Sequence, residues 1–564
     1  MRVFAFVSAI VATSLSAASG QNYDVLFRNG RVLDGTGNPW FRADVGIVDG
    51  RIAGVGRLET ATARRVIDAT DLTITPGFID LHSHADGPEY ATNGLRADDV
   101  RRRQAPNLVT QGITTVVVNH DGRSPWPIAD QLAQLRNRRV GVNVLALIGH
   151  GTIRRMAMGE HFRRPATPVE VGRMRDLVRR GMEDGAFGMS SGLEYVPGRW
   201  STTEELIALA EEMAPFDGVY ITHERSSGQD PMWYIPSIHG DTTVTTFLDA
   251  VVETIEVAER TGITAVQTHV KARGANYWGS SLAAVQIIER ARARGVSIWA
   301  DQYPYNTTGS DGGTVLVSDE SLGVSGRRPD RAGALEIILA DSARARQLRR
   351  DIAHEIARRG SAENIVVLAY PDTAFVGHTL AQLAERMKSR PVDVALHMAR
   401  NGFADRRGGA HLRGFSLSEI DVETYAAYPW VATATDGWIS LPEDGFTHMR
   451  VYGTFPRKIQ HYAMTRGILS VPDAVRSATS LPARIMGLTD RGMIREGMRA
   501  DITVLDLESL RDNSTLFEPH RFASGIPYVM VNGEFVVDGG SVTGALPGAI
   551  ILPERSVTNT TGGN

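Results

Sequence analysis

The sequence predicts an α/β protein: a (β/α)8 TIM-like barrel, a small β-sandwich domain built from both chain ends, and an insertion before the last barrel strand. Three observations carry this. The middle of the chain alternates nearly all-apolar, strand-like runs with helical segments, the pattern of parallel strands buried on both faces. Both ends instead carry short apolar runs joined by Asn-Gly and Asp-Gly, the strongest short hairpin signals. Between residues 311 and 425, helical and charge-rich segments interrupt the alternation.

The elements follow in order. Met1-Arg2 gives a positive start, Val3–Leu15 is apolar but too short to span a bilayer, and Ala18-Ser19-Gly20 offers a small-residue cleavage site. Residues 1–20 therefore read as a secretory signal peptide, leaving Gln21 as the new N-terminus of an exported protein, periplasmic or secreted, with no membrane association after cleavage. Residues 21–74 form the first part of the small β domain, with Tyr23–Phe27 ahead of Asn29-Gly30, and Ala43–Val48 turning at Asp49-Gly50. Residues 75–486 hold the barrel. Its candidate strands are Phe78–His84, Ile113–Val118, Val142–Gly149, Ala186–Ser191, Val219–Thr222, Ile263–Thr268, Val296–Asp301 and Trp430–Thr435. Thr167-Pro168-Val169-Glu170 and Thr202-Thr203-Glu204-Glu205 read as capping boxes that start helices. An open doubly wound sheet is the rival architecture, but no G-x-G-x-x-G follows the first strand. In the insertion, Asp311-Gly312-Gly313 opens a loop, and Asp341–Arg359 and Leu380–Arg390 are helical; the whole is expected to pack beside the barrel mouth. Residues 487–553 complete the small β domain through Ala500–Leu505 and a hairpin at Asn532-Gly533, and 554–564 read as a disordered tail.

Composition narrows the function. A hydrophobic content of 42%, a charged content of 22% and a net charge of -4 describe a globular protein, and no basic run with interleaved aromatics suggests a nucleic-acid partner. The partner expected is a small-molecule substrate. There is no cysteine, which excludes disulfides and a thiol nucleophile and leaves only His and carboxylates to hold a transition metal.

Catalytic groups of a barrel gather at the C-terminal ends of its strands. After the first strand stand His82 and His84, which period-two alternation puts on one face. After the second comes Asn119-His120-Asp121-Gly122, after the fifth His223, after the sixth His269 and Lys271, and after the eighth Asp436. Four histidines and two carboxylates at one end of a barrel can hold two divalent cations, and imidazole favours zinc or a similar transition metal over magnesium or calcium.

These residues resemble the amidohydrolase superfamily and, within it, the D-aminoacylase (N-acyl-D-amino-acid deacylase) group. The resemblance covers nearly the whole mature chain. It rests on Pro76-Gly77-Phe78-Ile79-Asp80-Leu81-His82-Ser83-His84, Gln111–Val118, Gly149-His150-Gly151-Thr152, Gly188–Leu193, Tyr303-Pro304-Tyr305, Tyr452–Arg457 and Thr543–Gly548. It implies that His82 and His84 hold one Zn2+ with Asp436, that His223 and His269 hold the other, and that one or two ions are bound per chain. The family's bridging ligand is a cysteine in Gly-Asn-Cys-Gly; here Asp121 stands at that position, with His120 as the competing ligand. The resemblance also matches Lys271, Tyr195, Tyr303 and Arg450 to substrate-binding positions, and Arg225 lies beside His223.

The activity implied is hydrolysis of the amide bond of N-acyl-D-amino acids, or of related small amides and dipeptides, by metal-activated water. Asp436 would move the proton from that water to the leaving amine. Three alternatives remain at this stage. They are a cyclic-amide (hydantoinase-like) substrate, an L-configured N-acyl amino acid or dipeptide, and a non-catalytic exported binding protein.

Overall fold

The computed structural model describes residues 22–554, apart from 241, 310–312 and 327–328. The expected signal peptide, Asp311-Gly312 and nearly all of the expected tail lie outside the described residues. Eight parallel strands make the barrel: β1 (Phe78–Asp80), β2 (Ile113–Val118), β3 (Asn143–Ala146), β4 (Gly188–Gly192), β5 (Val219–His223), β6 (Thr264–Gln267), β7 (Ile298–Gln302) and β8 (Val431–Thr433). β1 pairs with β2 and β2 with β3. Past Leu147 the third strand resumes as Ile148–Gly149, which pairs with β4, and the ladder then runs through β5, β6 and β7 to β8. Every residue of β2 and β5 is buried, as apolar and β-branched runs covered on both faces require.

The first strand departs from expectation. It ends at Asp80 rather than His84, and Ser83–His84 forms a separate short ladder with Gly437–Trp438. The cause is closure of the barrel: the chain segments after β1 and β8 are joined at this rim, where Asp436 N donates to His82 O at 2.9 Å and Thr435 N to Asp80 Oδ1 at 2.8 Å. His82 and His84 thus reach the same place through a bend.

The helix Pro168–Glu183 carries the expected capping box, with Thr167 and Glu170 satisfying each other's backbone. Thr203–Met213 has only half of one. Thr202 accepts from Glu205 N, but the Glu205 side chain turns inward to His150 Nε2 at 2.9 Å and to Arg154. An inward arginine needs a counter-charge more than the helix end needs a second cap.

The two chain ends meet in one nine-stranded sheet. Ile502–Leu505 lies antiparallel to Thr73–Pro76, the strand leading directly into β1. The sheet folds over a core that includes Phe27, Val45, Ile502 and Met530. Asp49-Gly50 and Asn532-Gly533 are tight hairpin turns with positive φ at both residues. Asn29-Gly30 is not a turn: the strand Asn22–Val32 runs through it with a bulge, Asn29 adopting φ 60°. Buried Asp501 accepts from Arg491 Nη1 at 2.7 Å, Asn532 N at 2.7 Å and Asn143 Nδ2 at 3.0 Å, tying the sheet to the start of β3. This leaves the C-terminal ends of the strands free.

Between β7 and β8 the chain builds a body with its own core, including Leu335, Ile338, Leu348, Ile352 and Val394. Its helices include Arg331–Ala340, Ser342–Ala357 and Pro391–Asn401, and Ile365–Ala369 pairs antiparallel with His411–Gly414. Arg358 ties it to the loop after β5, donating to the carbonyls of Pro231 (2.9 Å) and Met232 (3.0 Å). Helix Glu419–Ala427 falls inside the expected insertion by residue number, yet Tyr425 packs in the barrel core. It is a barrel helix.

Candidate metal centre and active site

The site begins at the closure of the ring. His82 Nε2 and His84 Nε2 lie 3.2 Å apart, and Asp436 Oδ1 is 3.5 Å from the first and 3.2 Å from the second. Thr268 donates its hydroxyl to Asp301 Oδ2 at 2.6 Å, so its oxygen accepts from His82 Nδ1–H at 2.5 Å. That sets the tautomer and leaves the Nε2 lone pair of His82 facing His84 and Asp436. Beneath, Asp80 accepts from Thr435 N at 2.8 Å and His82 N at 3.3 Å. Burial pushes the Asp80 and Asp301 carboxyls up to about 7.

The second group lies at the ends of β5 and β6. His223 Nδ1 is 2.8 Å from His269 Nε2. Behind His223, Nε2 meets Glu194 Oε2 at 3.1 Å, and Glu194 Oε1 accepts from Met232 N (2.8 Å) and Arg273 Nη2 (3.2 Å). Burial would raise Glu194, but Arg273 and His223 hold it at about 2. Behind His269, Lys271 Nζ is 2.5 Å from Nδ1, and buried Glu224 lies 3.8 Å from both.

Asp121 stands between the groups. Its Oδ1 is 3.5 Å from His223 Nδ1 and 3.8 Å from both His82 Nε2 and His269 Nε2, and its Oδ2 is 3.5 Å from His84 Nε2. Oδ1 is buried without a hydrogen-bond partner, an acceptor left open at the meeting point of four imidazoles. Three residues here have positive φ without being glycine: Asp121 (57°), Asp436 (48°) and His269 (38°). Such conformations cluster where the surroundings force a side chain into place. His120, the competing ligand, instead stacks on the His82 ring at 3.9 Å and directs Nε2 to Val117 O at 3.1 Å.

Burial favours neutral imidazole, and with the nearby charge of His120 it keeps His82 well below its ordinary range. At His84 and His223 burial acts the same way, but carboxylates override it and raise each to about 9: Asp121 and Asp436 for His84, Asp121 and Glu194 for His223. Burial would raise Asp436 as well, but Arg450 Nη1, 2.7 Å from Oδ2, and the histidines hold it well below the usual carboxylate range.

A cavity of about 340 Å3 opens over the group. His84, Asp121, Tyr195, His223, His269, Lys271, Tyr303, Asp436 and Arg450 all line it, with His82 buried beneath. The Tyr195 ring packs on His223 at 4.3 Å, and the Arg450 guanidinium lies over the Tyr303 ring at 4.6 Å. Arg225 turns away to pair with Glu253 at 2.8 Å. The sequence reading missed Thr268, Asp301, Glu194, Glu224 and Arg273, which act from behind the ligands. Thr268 and Glu224 carried a usable signal, since each adjoins a strand-end histidine.

The site has the donor set for a divalent transition metal: four imidazoles, two carboxylates and, on one of these, an open acceptor. The family profile that matches the chain, over residues 65–537, is that of the amidohydrolase family. A D-aminoacylase of Alcaligenes xylosoxydans xylosoxydans is 30% identical over 95% of this chain and 99% of the relative. An N-acyl-D-glutamate deacylase of the same organism is 30% identical over 91% and 93%. Among solved structures, a D-aminoacylase superposes with a TM-score of 0.70 at 28% identity, over 94% of this chain and 99% of that one. The N-acyl-D-glutamate deacylase of Bordetella bronchiseptica, solved with zinc and a phosphonate mimic of the tetrahedral intermediate, gives 0.71 at 28% identity, over 94% and 100%. A D-hydantoinase, at 0.55 and 16%, shares the fold alone.

Proposed function

From the premise that this chain belongs to the amidohydrolase family, we propose that it is a metal-dependent hydrolase cleaving the amide bond of small N-acyl-D-amino acids. The observation that carries the reading is Asp121 Oδ1, buried and open between two pairs of histidines. His82, His84 and Asp436 are assigned to one ion, His223 and His269 to a second, and Asp121 to both. Zinc suits these donors and is the metal in the Bordetella structure. Metal of this kind supplies a water acidic enough to attack near neutral pH and a charge that polarises the amide carbonyl.

The chain's own residues do the rest. Asp436 accepts the proton of the attacking water and delivers it to the leaving nitrogen. Arg450 keeps Asp436 ionised and oriented. A substrate carboxylate drawn to Arg450 competes for that guanidinium and returns basicity to Asp436 as the substrate binds. Lys271 donates to His269 Nδ1, which places the imidazole proton on Nε2. Were a metal held through Nε2, His269 would carry its proton on Nδ1 instead, and the Lys271 ammonium would be available to the same carboxylate. Tyr195 and Tyr303 line the cavity that takes the substrate.

The cyclic-amide alternative has a likeness of fold behind it and no feature of this site. The non-catalytic alternative would call for a missing ligand, and all six are present. Export is part of the proposal, supported by the pattern of residues 1–20. Metal analysis with a screen of matched N-acyl-D- and N-acyl-L-amino acids tests the reading. Two zinc ions per chain and turnover of the D-series are expected; turnover confined to the L-series overturns the stereochemical assignment. N-terminal sequencing of the exported protein is expected to begin at Gln21.

A further inference from the structure

A second compartment adjoins the catalytic cavity, with Met232 and Arg273 in the walls of both. Its volume is about 510 Å3, within the range of small-molecule sites, and it lies between the loop after β5 and helix Ser342–Ala357 of the insertion. Val196, Met232 and Ile238 give it apolar walls, and Ile238 is 59% exposed.

Two buried polar atoms in these walls have no partner, and one cation beside them makes no ion pair. The Arg199 guanidinium, half-buried, lies over the rings of Trp200 (4.3 Å) and Trp233 (5.2 Å); it makes no ion pair among the described residues, though the Glu320 charge in the same wall acts on it. Trp233 Nε1 is buried with no hydrogen-bond partner. Asp351, 2% exposed, uses Oδ1 to accept from Ser237 N at 2.9 Å, while its Oδ2 is buried without a partner. Of the other charges in the wall, Glu355 is engaged with Arg358 and Arg359 and Arg273 with Glu194, while Glu320 lies near Arg199. Buried donors and acceptors without partners are costly, and a cluster of them around one cavity describes the ligand that would complete it. That ligand carries a carboxylate for Arg199 and the indole N–H, an N–H for Asp351, and an apolar or planar stretch between them.

We infer that this compartment binds the acyl side of the substrate, and that this arm is peptide-like and ends in a carboxylate. The inference rests on the reading above, which gives the amino-acid carboxylate to Lys271 and Arg450; of the chambers beside the catalytic cavity, the one beyond Met232 holds the unpartnered groups. Glu194 joins the two chambers, since it holds both His223 and the backbone of Met232.

The test compares the N-acetyl and N-succinylglycyl derivatives of one D-amino acid. The wild type is expected to favour the succinylglycyl substrate in kcat/KM. Arg199→Ala is expected to cost about 10- to 100-fold on that substrate, the worth of a charge-assisted hydrogen bond, and to leave the acetyl substrate within about twofold. Trp233→Phe, which removes the N–H and keeps a ring, should cost less on the same substrate and nothing on the other. Equal loss on both substrates, or none on either, overturns the inference. Should the wild type turn over neither, the catalytic reading has failed, and calorimetry with succinylglycine decides on the compartment alone. Saturable binding that Arg199→Ala abolishes upholds it; no binding to the wild type overturns it.

Discussion

The two halves of the metal centre use the same side chain and support it differently. His82 is backed by a neutral hydroxyl, Thr268, which leads to a carboxyl pushed up to about 7. His223 is backed directly by Glu194, a carboxylate held at about 2 and bonded in turn to Arg273 and to a loop backbone. A carboxylate behind an imidazole makes it a stronger donor than a hydroxyl does. Identical ligands can therefore differ in metal affinity because of residues that never touch the metal.

The largest effect should come from the half that carries the proton. Asp436→Asn is expected to lower kcat by about 10²- to 10⁴-fold while metal stays on the His223 half, read from steady-state rates and metal content. Normal rates in a fully loaded variant would remove Asp436 from catalysis.

Next comes the link between the halves. Asp121→Ala should reduce bound zinc from two ions per chain to one or fewer, and Asp121→Cys should restore binding. Metal analysis checks both. Unchanged stoichiometry in the alanine variant would return Asp121 to a structural role.

The supports should separate by size. Glu194→Gln is expected to weaken metal at the His223 half by about 10- to 100-fold in competition with a chelator. Thr268→Val should weaken the His82 half by less, because a neutral hydrogen bond is about half as strong as a charge-assisted one. Equal losses would erase the distinction.

The smallest effect is on stability of the metal-free protein, and its sign differs between the halves. Glu194 sits below its ordinary 4.5, so the unfolded chain takes up its proton first. Its contribution is present above that value and is lost as pH falls through about 2. Asp301 sits above its ordinary 3.8, so the folded protein keeps its proton longer. Its contribution is present at low pH and is lost as pH rises through about 7. Urea titrations should therefore show Glu194→Gln flattening the acid limb and Asp301→Asn flattening the slope between about pH 4 and 7.

Much of this was legible beforehand, and particular residues show where legibility stopped. β2 could be read because six buried, mostly β-branched residues in a row have few alternatives to a central strand. Asn29-Gly30 misled because the same dipeptide serves a turn and a bulge, and the pairing of a strand across it with residues 41–47 decides between them. Glu205 misled because its competing partners, His150 and Arg154, lie some fifty residues away. Helix Glu419–Ala427 was placed with the insertion because no local signal marks which core it joins.

By itself the sequence determined the barrel and the sheet at the two chain ends and put six candidate metal ligands at strand ends, because periodicity and strand-end position are local properties that place a side chain at a known rim. Only the tertiary structure decided that Thr268 and Glu194 support unequal halves and that a second chamber adjoins the first. These depend on contacts between residues far apart in the chain, which exist only once the ring has closed at Ser83–His84 and Gly437–Trp438.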